Sequence, residues 1–449
     1  MHRCLRQLRR RSPLLVVLGL SFLLPRRAEA QQAGETPPTA PSAPPPATAA
    51  GTPAAGSAQA PKTEAEKAEA EKVKETLHTR AAADDFREVT RAPDEAVPTD
   101  PDAPRHAWNL SPFGYLRAGY DHTMKDSRYD FVGQNSGFIL DSARVGLDGK
   151  NNAYDLLFRM SIEGASDVLT SPNTPQGTLS VRLRDAFARW DPASWLGIQV
   201  GQYKAPFQEE ELRGTNNLLF ASRAIGVDGI RPGRGFQTPG ITLDRQLGIM
   251  LSPARPIGGD LAVTYYVMVM NGNGANQILN DNDRVGIVAR SEVSYLRYVK
   301  VGAALFRNDR TVGEPPNLYN EEDLGLTADV GVHAGGLHAF GAVTRLRTVF
   351  PTVGTSERVQ LAWHLQAGYR FELPSSFLTP AYRYAYFHPW QEGGGDGFDT
   401  LKLQAHTFGV RAGHTKVPIQ AWLNYTLMVE ATERQIDNDR IELLGQVTF

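Results

Sequence analysis

Over residues 108–449, apolar residues alternate with polar ones. The alternating segments are long enough to cross a bilayer, and the connections between them alternate short and long. Together these three patterns predict an all-β fold, an antiparallel transmembrane β-barrel of about sixteen strands. The clearest segment places Val359, Leu361, Trp363, Leu365, Ala367, Tyr369 and Phe371 between Arg358, Gln360, Ala362, His364, Gln366, Gly368 and Arg370. Strand side chains point to opposite faces, so this segment has one apolar and one largely polar face. Residues 154–162, 324–332 and 419–429 repeat the pattern.

Composition removes the competing classes. No apolar run in the body of the chain reaches the roughly 18 residues of a membrane helix. The longest, Leu261–Met270, contains Thr264 and two tyrosines, and mean hydropathy is −0.34. A net charge of −2 and a pI near 6.6 leave no electrostatic footprint for nucleic acid. The 42 glycines suit turns and strands better than packed helices.

Taken in order, the first element is a secretory signal peptide over residues 1–30. Arg3, Arg6, Arg9, Arg10 and Arg11 precede the apolar residues 14–24, and Ala28-Glu29-Ala30 supplies a small-residue cleavage site. The only cysteine, Cys4, lies in this segment, so the mature chain is expected to use neither disulfides nor thiol chemistry. Residues 31–62 are almost wholly Ala, Pro, Thr, Gly, Ser and Gln, an extended linker with nothing to bury. Residues 63–90 are rich in Glu, Lys and Ala and open on Thr63 to Glu66, a capping box. Ala70, Val73, Leu77 and Ala81 form one narrow stripe, consistent with a short coiled coil or a single solvated helix. Such a helix could tether the membrane to the cell wall or fix an oligomer. Residues 91–107, rich in Pro and Asp, form a second linker, and the barrel domain fills 108–449.

Within that domain the expected strands run to roughly ten residues each, the length a tilted strand needs. Short connections include 149–153, 191–196, 334–336 and 414–418; long ones include 122–136, 165–178, 271–283, 307–323 and 388–400. Short turns on one side and long loops on the other describe an outer-membrane barrel with both ends of the domain in the periplasm. The chain finishes on Val447-Thr448-Phe449, whose terminal aromatic residue resembles the signal by which such barrels are recognised for assembly. The connection after Gln202 is exceptional at roughly forty residues, and loops of that length are usually functional. Folded into the lumen, it would narrow the pore. It offers Lys204, Glu209, Glu210, Glu211, Arg213 and Arg234 as constriction residues, and it also contains Arg223 and Arg231.

Strand parity directs Arg117, Arg144, Arg159, Arg182, Arg184, Arg290, Arg370, Arg383 and Arg411 to the lumen. Rings of arginine can make a pore anion-selective, because guanidinium stays charged and grips oxyanions bidentately. Carboxylates of the same faces, such as Asp148, Asp155, Glu163, Asp185, Glu292 and Asp329, could neutralise them. Parity breaks near Asp185, where a bulge would reassign Asp185 and Arg189.

No catalytic site is expected. The barrel histidines are scattered, and neither H-E-x-x-H nor G-x-S-x-G occurs. Asp281 and Asp283 could hold calcium, yet the spacing fits no full calcium loop. Neither cofactor nor metal is therefore anticipated.

Four segments carry a family resemblance. Ala143-Arg144-Val145-Gly146-Leu147, Leu183-Arg184-Asp185-Ala186-Phe187, Gly201-Gln202-Tyr203-Lys204-Ala205-Pro206-Phe207 and Asn271-Gly272-Asn273-Gly274 occur in that order. They resemble the phosphate-selective porin O and P family over about residues 110–449. The resemblance implies a trimeric sixteen-stranded outer-membrane channel whose third loop folds inward. In phosphate-specific members, basic residues line the path. Here three consecutive glutamates enter that loop, and no basic cluster matches residue by residue. The expectation is a water-filled channel for small hydrophilic solutes, favouring anions such as phosphate. The alternatives are a general or cation-preferring porin, or a barrel that mainly anchors the membrane through 63–90.

Overall fold

The computed structural model describes residues 108–167, 178–231, 233–296, 298–314, 316–351, 356–392, 402–430 and 435–449. The leader, linker and helix expected over 1–107 lie outside these residues. Sixteen long strands follow one another: β1 Asn109–Thr123, β2 Gly137–Asn151, β3 Leu156–Asp167, β4 Thr178–Ala193, β5 Leu196–Lys204, β6 Arg245–Ser252, β7 Leu261–Met270 and β8 Gly286–Tyr295. The second half comprises β9 Val299–Glu314, β10 Asn317–Ala334, β11 Leu337–Phe350, β12 Ser356–Tyr369, β13 Ser376–Glu392, β14 Leu403–His414, β15 Ile419–Glu430 and β16 Arg440–Thr448. Two-residue extended pieces, Ile257–Gly258 and Phe371–Glu372, ride in the turns before β7 and β13.

Every strand pairs antiparallel with its neighbours in sequence, and β1 pairs with β16 from Tyr115↔Thr448 to Thr123↔Arg440, which closes the ring. Closure leaves no open edge, the condition for a sheet to stand in lipid. Phe449 reinforces the seam: its N–H donates to the Gly114 carbonyl and its carbonyl accepts from the Gly114 N–H, both at 2.9 Å. The ring of Phe449 lies where a Cβ at Gly114 would stand, so a side chain at position 114 would push it away.

The expected alternation is present in the burial of the strands. On β15, Ile419, Ala421, Leu423, Tyr425 and Leu427 are exposed, while Trp422, Asn424, Thr426 and Met428 are buried. On β10, Leu324, Leu326, Ala328 and Val330 face out; Asp323, Thr327 and Asp329 face in.

Two local features differ from simple parity. The pairing of β3 with β4 slips between Met160 and Ile162, opposite Arg184 and Asp185. This bulge turns Asp185 and Arg189 to the inside, where both are buried. The second is a correction. Residues 307–323 read as a long loop, but β9 and β10 continue as a ladder from Arg307↔Leu324 to Glu314↔Asn317. Beyond the apolar band water wets both faces, so the alternation fades while the backbone hydrogen bonds carry on.

Candidate functional site

The connection from β5 to β6 folds into the barrel. After Lys204 it forms a helical turn α1 (Glu209–Leu212), a 3-10 turn (Thr215–Asn217) and a second turn α2 (Ile225–Asp228). Gly229 closes α2 at φ 72°, and a Cβ there would lie 2.1 Å from the Thr238 carbonyl oxygen. Only glycine permits this tight return. Phe207 and Ile241 pack with Met250, Met268, Met270, Val288 and Phe306 from the inner face of β6–β9, and Phe207 meets Phe306 edge-on at 4.7 Å. The opposite end sits on Trp422, fully buried, whose indole N–H donates to the Leu218 carbonyl at 3.1 Å. The loop thus spans the lumen and is seated on both walls.

The three glutamates do not form an open acidic ring. Glu209 meets Lys300 at 2.7 Å and Arg290 at 3.3 Å. Burial alone would raise its carboxyl, but Lys300, Arg290 and Arg213 outweigh burial and hold it below its ordinary value. Glu210 lies 3.5 Å from Arg383 and 3.3 Å from His364, and it accepts the Ala224 N–H. Glu211 serves the loop itself, accepting from the Thr242 hydroxyl and the Asp244 N–H. Burial, and then the charge of Asp244, push its carboxyl above the ordinary value.

Basic residues fall into two kinds. On β2–β4 they meet carboxylates: Arg144 pairs with Asp185, Arg184 with Glu163, and Arg159 holds Asp148 with contacts of 2.7 and 2.8 Å. Arg245 joins Asp185 at 2.9 Å. Arg290 is the most heavily engaged, with Asp329 and Glu292 each at 2.7 Å besides Glu209. Arg182 lies on β4 opposite Glu163 and is exposed.

The other kind meets neutral oxygen. Arg383 donates to the Ser222 carbonyl at 2.8 Å, and Arg411 to the Gln420 amide oxygen at 2.7 and 2.9 Å. Arg223 reaches the carbonyls of Glu210 and Arg213, and Lys204 those of Leu212 and Arg213. Arg117 donates to Thr215 and Ala221 carbonyls, and also pairs with Asp141 at 2.9 Å. A carbonyl satisfies a guanidinium N–H without cancelling its charge.

Two cavities flank the loop along the β10–β16 wall. One is lined by Arg213, Asn217, His333, His338, Gln366, Thr379, Arg411 and Arg370, which lies in the turn after β12 and pairs with Glu372. The other, nearer the long-connection rim, is lined by Arg223, Arg231, Arg234, Arg383, Thr407, Thr426, Asn438 and Arg440. No carboxylate is among the described lining residues of either. Carboxylates stand behind instead: Asp121 at 2.6 Å from Arg234, and Glu442 at 3.0 Å from Arg440. On β13, Thr379 belongs to the first cavity and Arg383 to the second, with the Arg383–Glu210–His364 cluster beside the step between them.

Parity reasoning did not single out His333, His338, His364, Lys300 or Arg440. The first two flank the turn after β10, and their rings meet edge-on at 4.8 Å. Their inward parity, matching Asp329 and Phe340, was the available signal. The partners of the loop glutamates had none, since Glu209 and Lys300 are 91 residues apart.

A family model for phosphate-selective porin O and P matches residues 114–282. Over that stretch the chain is similar to the phosphate-selective porin O and P family, as its sequence motifs led one to expect. Porins also supply the structural likenesses. OmpF of Salmonella typhi, solved in complex with daunomycin, is 15% identical with a TM-score of 0.54, covering 76% of this chain and 97% of that one. The anion-selective porin of Comamonas acidovorans is 13% identical, TM-score 0.51, covering 76% and 100%. The outer membrane channel DcaP of Acinetobacter baumannii is 13% identical, TM-score 0.50, covering 76% and 98%. At such identities these structures speak to the barrel fold. Comparison with curated sequences finds no match. The family match and the barrel fold together support an outer-membrane porin channel.

Proposed function

We propose that this porin passes small hydrophilic anions, phosphate among them, along the β10–β16 side of its inward loop. The observation that carries the reading is the lining of the two cavities: guanidinium and imidazole groups, and no carboxylate among the described residues. The loop glutamates, the groups best placed to reverse the field, are consumed by Lys300, Arg290 and Arg383 or by the loop's own backbone. Sixteen strands give a barrel wide enough for an aqueous path beside such a loop. A guanidinium at contact distance in solvated surroundings contributes about 1 kcal/mol to an anion's energy, so a few of them suffice for preference.

The test is reversal potential across a planar bilayer under a potassium chloride gradient, repeated in phosphate. The wild-type channel is expected to favour anions, and Arg231→Gln with Arg411→Gln to lower the anion-to-cation ratio several-fold. A cation-preferring wild-type channel would overturn the reading in favour of a general or cation-preferring porin.

The same reading sets the long-connection rim outside the cell and both ends of the domain in the periplasm. A tag at Gly313, in the β9–β10 hairpin, should then be labelled on intact cells, and one at Gly335, in the turn after β10, should not. The homotrimer follows from the family resemblance, and cross-linking tests it. A cell-wall contact through 63–90 is tested by deleting 31–107, which should leave conductance intact.

A further inference from the structure

The upper half of β11 is turned inside out. Leu346 is buried among the apolar residues of the lumen and Thr348 is fully buried, while Arg345 and Arg347 are exposed on the outer wall. On β9 the same inversion sets Phe306 inside and Arg307 outside. Strand register places the three arginines together. Arg307 and Arg347 both pair across Leu324, and Arg345 lies opposite Leu326, whose other neighbour is Leu305. Two strand spacings separate Arg307 from Arg347, roughly 10 Å, and Arg345 is one same-face step below Arg347, roughly 7 Å. Guanidinium arms bridge such gaps.

Their height gives this patch its meaning. Arg347 stands ten residues beyond Leu337, which begins β11 at the short turn. With strand rise and tilt this is about 25 Å, the upper edge of a barrel's apolar band. Between and beneath them lie Leu305, Leu324, Leu326 and Val343, all 45–49% exposed. The outward rows of β7, β15 and β16 carry apolar, small or tyrosine residues and no charge.

Neighbouring carboxylates do not absorb the patch. Arg347 meets Glu357 at 2.5 Å, and Arg307 lies 3.8 Å from Asp309. Arg284, nearer the rim, shares Asp309 at 3.2 Å and reaches Glu322 at 3.5 Å. Arg345 has no ion pair among the described residues. Four guanidiniums therefore face three carboxylates, and Arg307 and Arg347 keep 69% and 47% of their side chains exposed.

We propose that Arg307, Arg345 and Arg347 are a docking site for the phosphate groups of a membrane lipid in the leaflet at the long-connection rim. The inference rests on the barrel crossing a membrane, not on which solute it passes. A lipid is the occupant that uses both halves of the surface: acyl chains against the leucines, phosphate on the guanidiniums above. Guanidinium suits this because it binds phosphate bidentately and sheds water more readily than ammonium. Free phosphate would leave the apolar half unused. A second copy of the chain would have to bring carboxylates on its own outer wall, and the outward rows of β7, β15 and β16 offer none.

The test is native mass spectrometry of the purified, folded protein with a diphosphorylated glucosamine-disaccharide lipid, then with the same lipid stripped of phosphate. The phosphorylated form should bind about tenfold more tightly, and Arg345→Gln with Arg347→Gln should reduce that preference to about twofold or less. Arg345→Lys, which keeps the charge, should retain most of it. Equal binding of the two lipids, or a preference untouched by the Gln substitutions, overturns the proposal. So does full competition by millimolar inorganic phosphate, which would make this a free-anion site. A change in subunit number with lipid binding unaltered also overturns it, assigning the face to a subunit contact. Conductance of the Gln variant, expected at the wild-type level, reports separately on the channel reading.

Discussion

The β2–β4 wall and the β12–β16 wall both point arginines into the lumen, but they use them differently. On β2–β4 and at the start of β6, four guanidiniums (Arg144, Arg159, Arg184, Arg245) meet Asp148, Glu163, Asp185 and Asp244, so the charge cancels within the wall. On β12–β16, Arg383 donates to a loop carbonyl with Glu210 at 3.5 Å, and Arg411 donates to an amide oxygen, so neutral oxygen takes a larger share of the bonds. An inward arginine is thus not yet a selectivity residue. What decides is whether its hydrogen-bond partner is ionised or neutral.

The sharpest way to break this contrast is to remove a charge-cancelled arginine. Arg290→Gln strands Asp329 in a buried site, leaves Glu209 and Glu292 to share Lys300, and should cost about 3–5 kcal/mol. The shift of the folded barrel's mobility on a heated gel, or a denaturant titration, reads it; a loss below about 1 kcal/mol would mean these pairs do not hold the wall. A smaller effect separates the two walls directly. Arg159→Gln with Asp148→Asn deletes a neutralised pair and should leave the anion-to-cation ratio unchanged, whereas Arg411→Gln alone should lower it a few-fold. Equal shifts in the two variants would erase the distinction.

The smallest effect concerns pH. Glu209 is held below its ordinary 4.5, so what it contributes to loop seating is present above pH 4.5 and lost as pH falls through the lower value. Glu211 is held above 4.5, so its contribution is full below pH 4.5 and lost as pH rises through the raised value. Protease sensitivity of the loop against pH should therefore change on both sides, and Glu211→Gln should remove only the upper change.

The barrel was legible because lipid and water impose opposite demands on alternate residues, as Ile419–Glu430 shows from end to end. Even the bulge at Asp185 announced itself, since regular parity would have set Asp185 and Arg189 on the lipid face with Leu183. Legibility failed where a face meets neither pure lipid nor pure water. Above the apolar band, residues 308–314 lost the alternation although the strand continues. Leu346 and Phe306 point inward because the loop gives the lumen an apolar filling, which inverts the code and sets Arg345 and Arg307 outside. The loop glutamates were visible, but their partners depend on how a forty-residue segment folds back, which no local pattern records.

The seating of that loop also imposes an order on folding. Its anchors come from opposite ends of the chain: Arg117 on β1 holds Thr215 and Ala221, Trp422 on β15 holds Leu218, and Glu442 on β16 accepts from Ser222. These groups become neighbours only when the first and last strands zip together, the contact of greatest sequence separation and so the slowest to form. The β1–β15–β16 seat of the inward loop is accordingly the last to be built. A barrel caught before its seam closes would hold its inward loop by one wall alone.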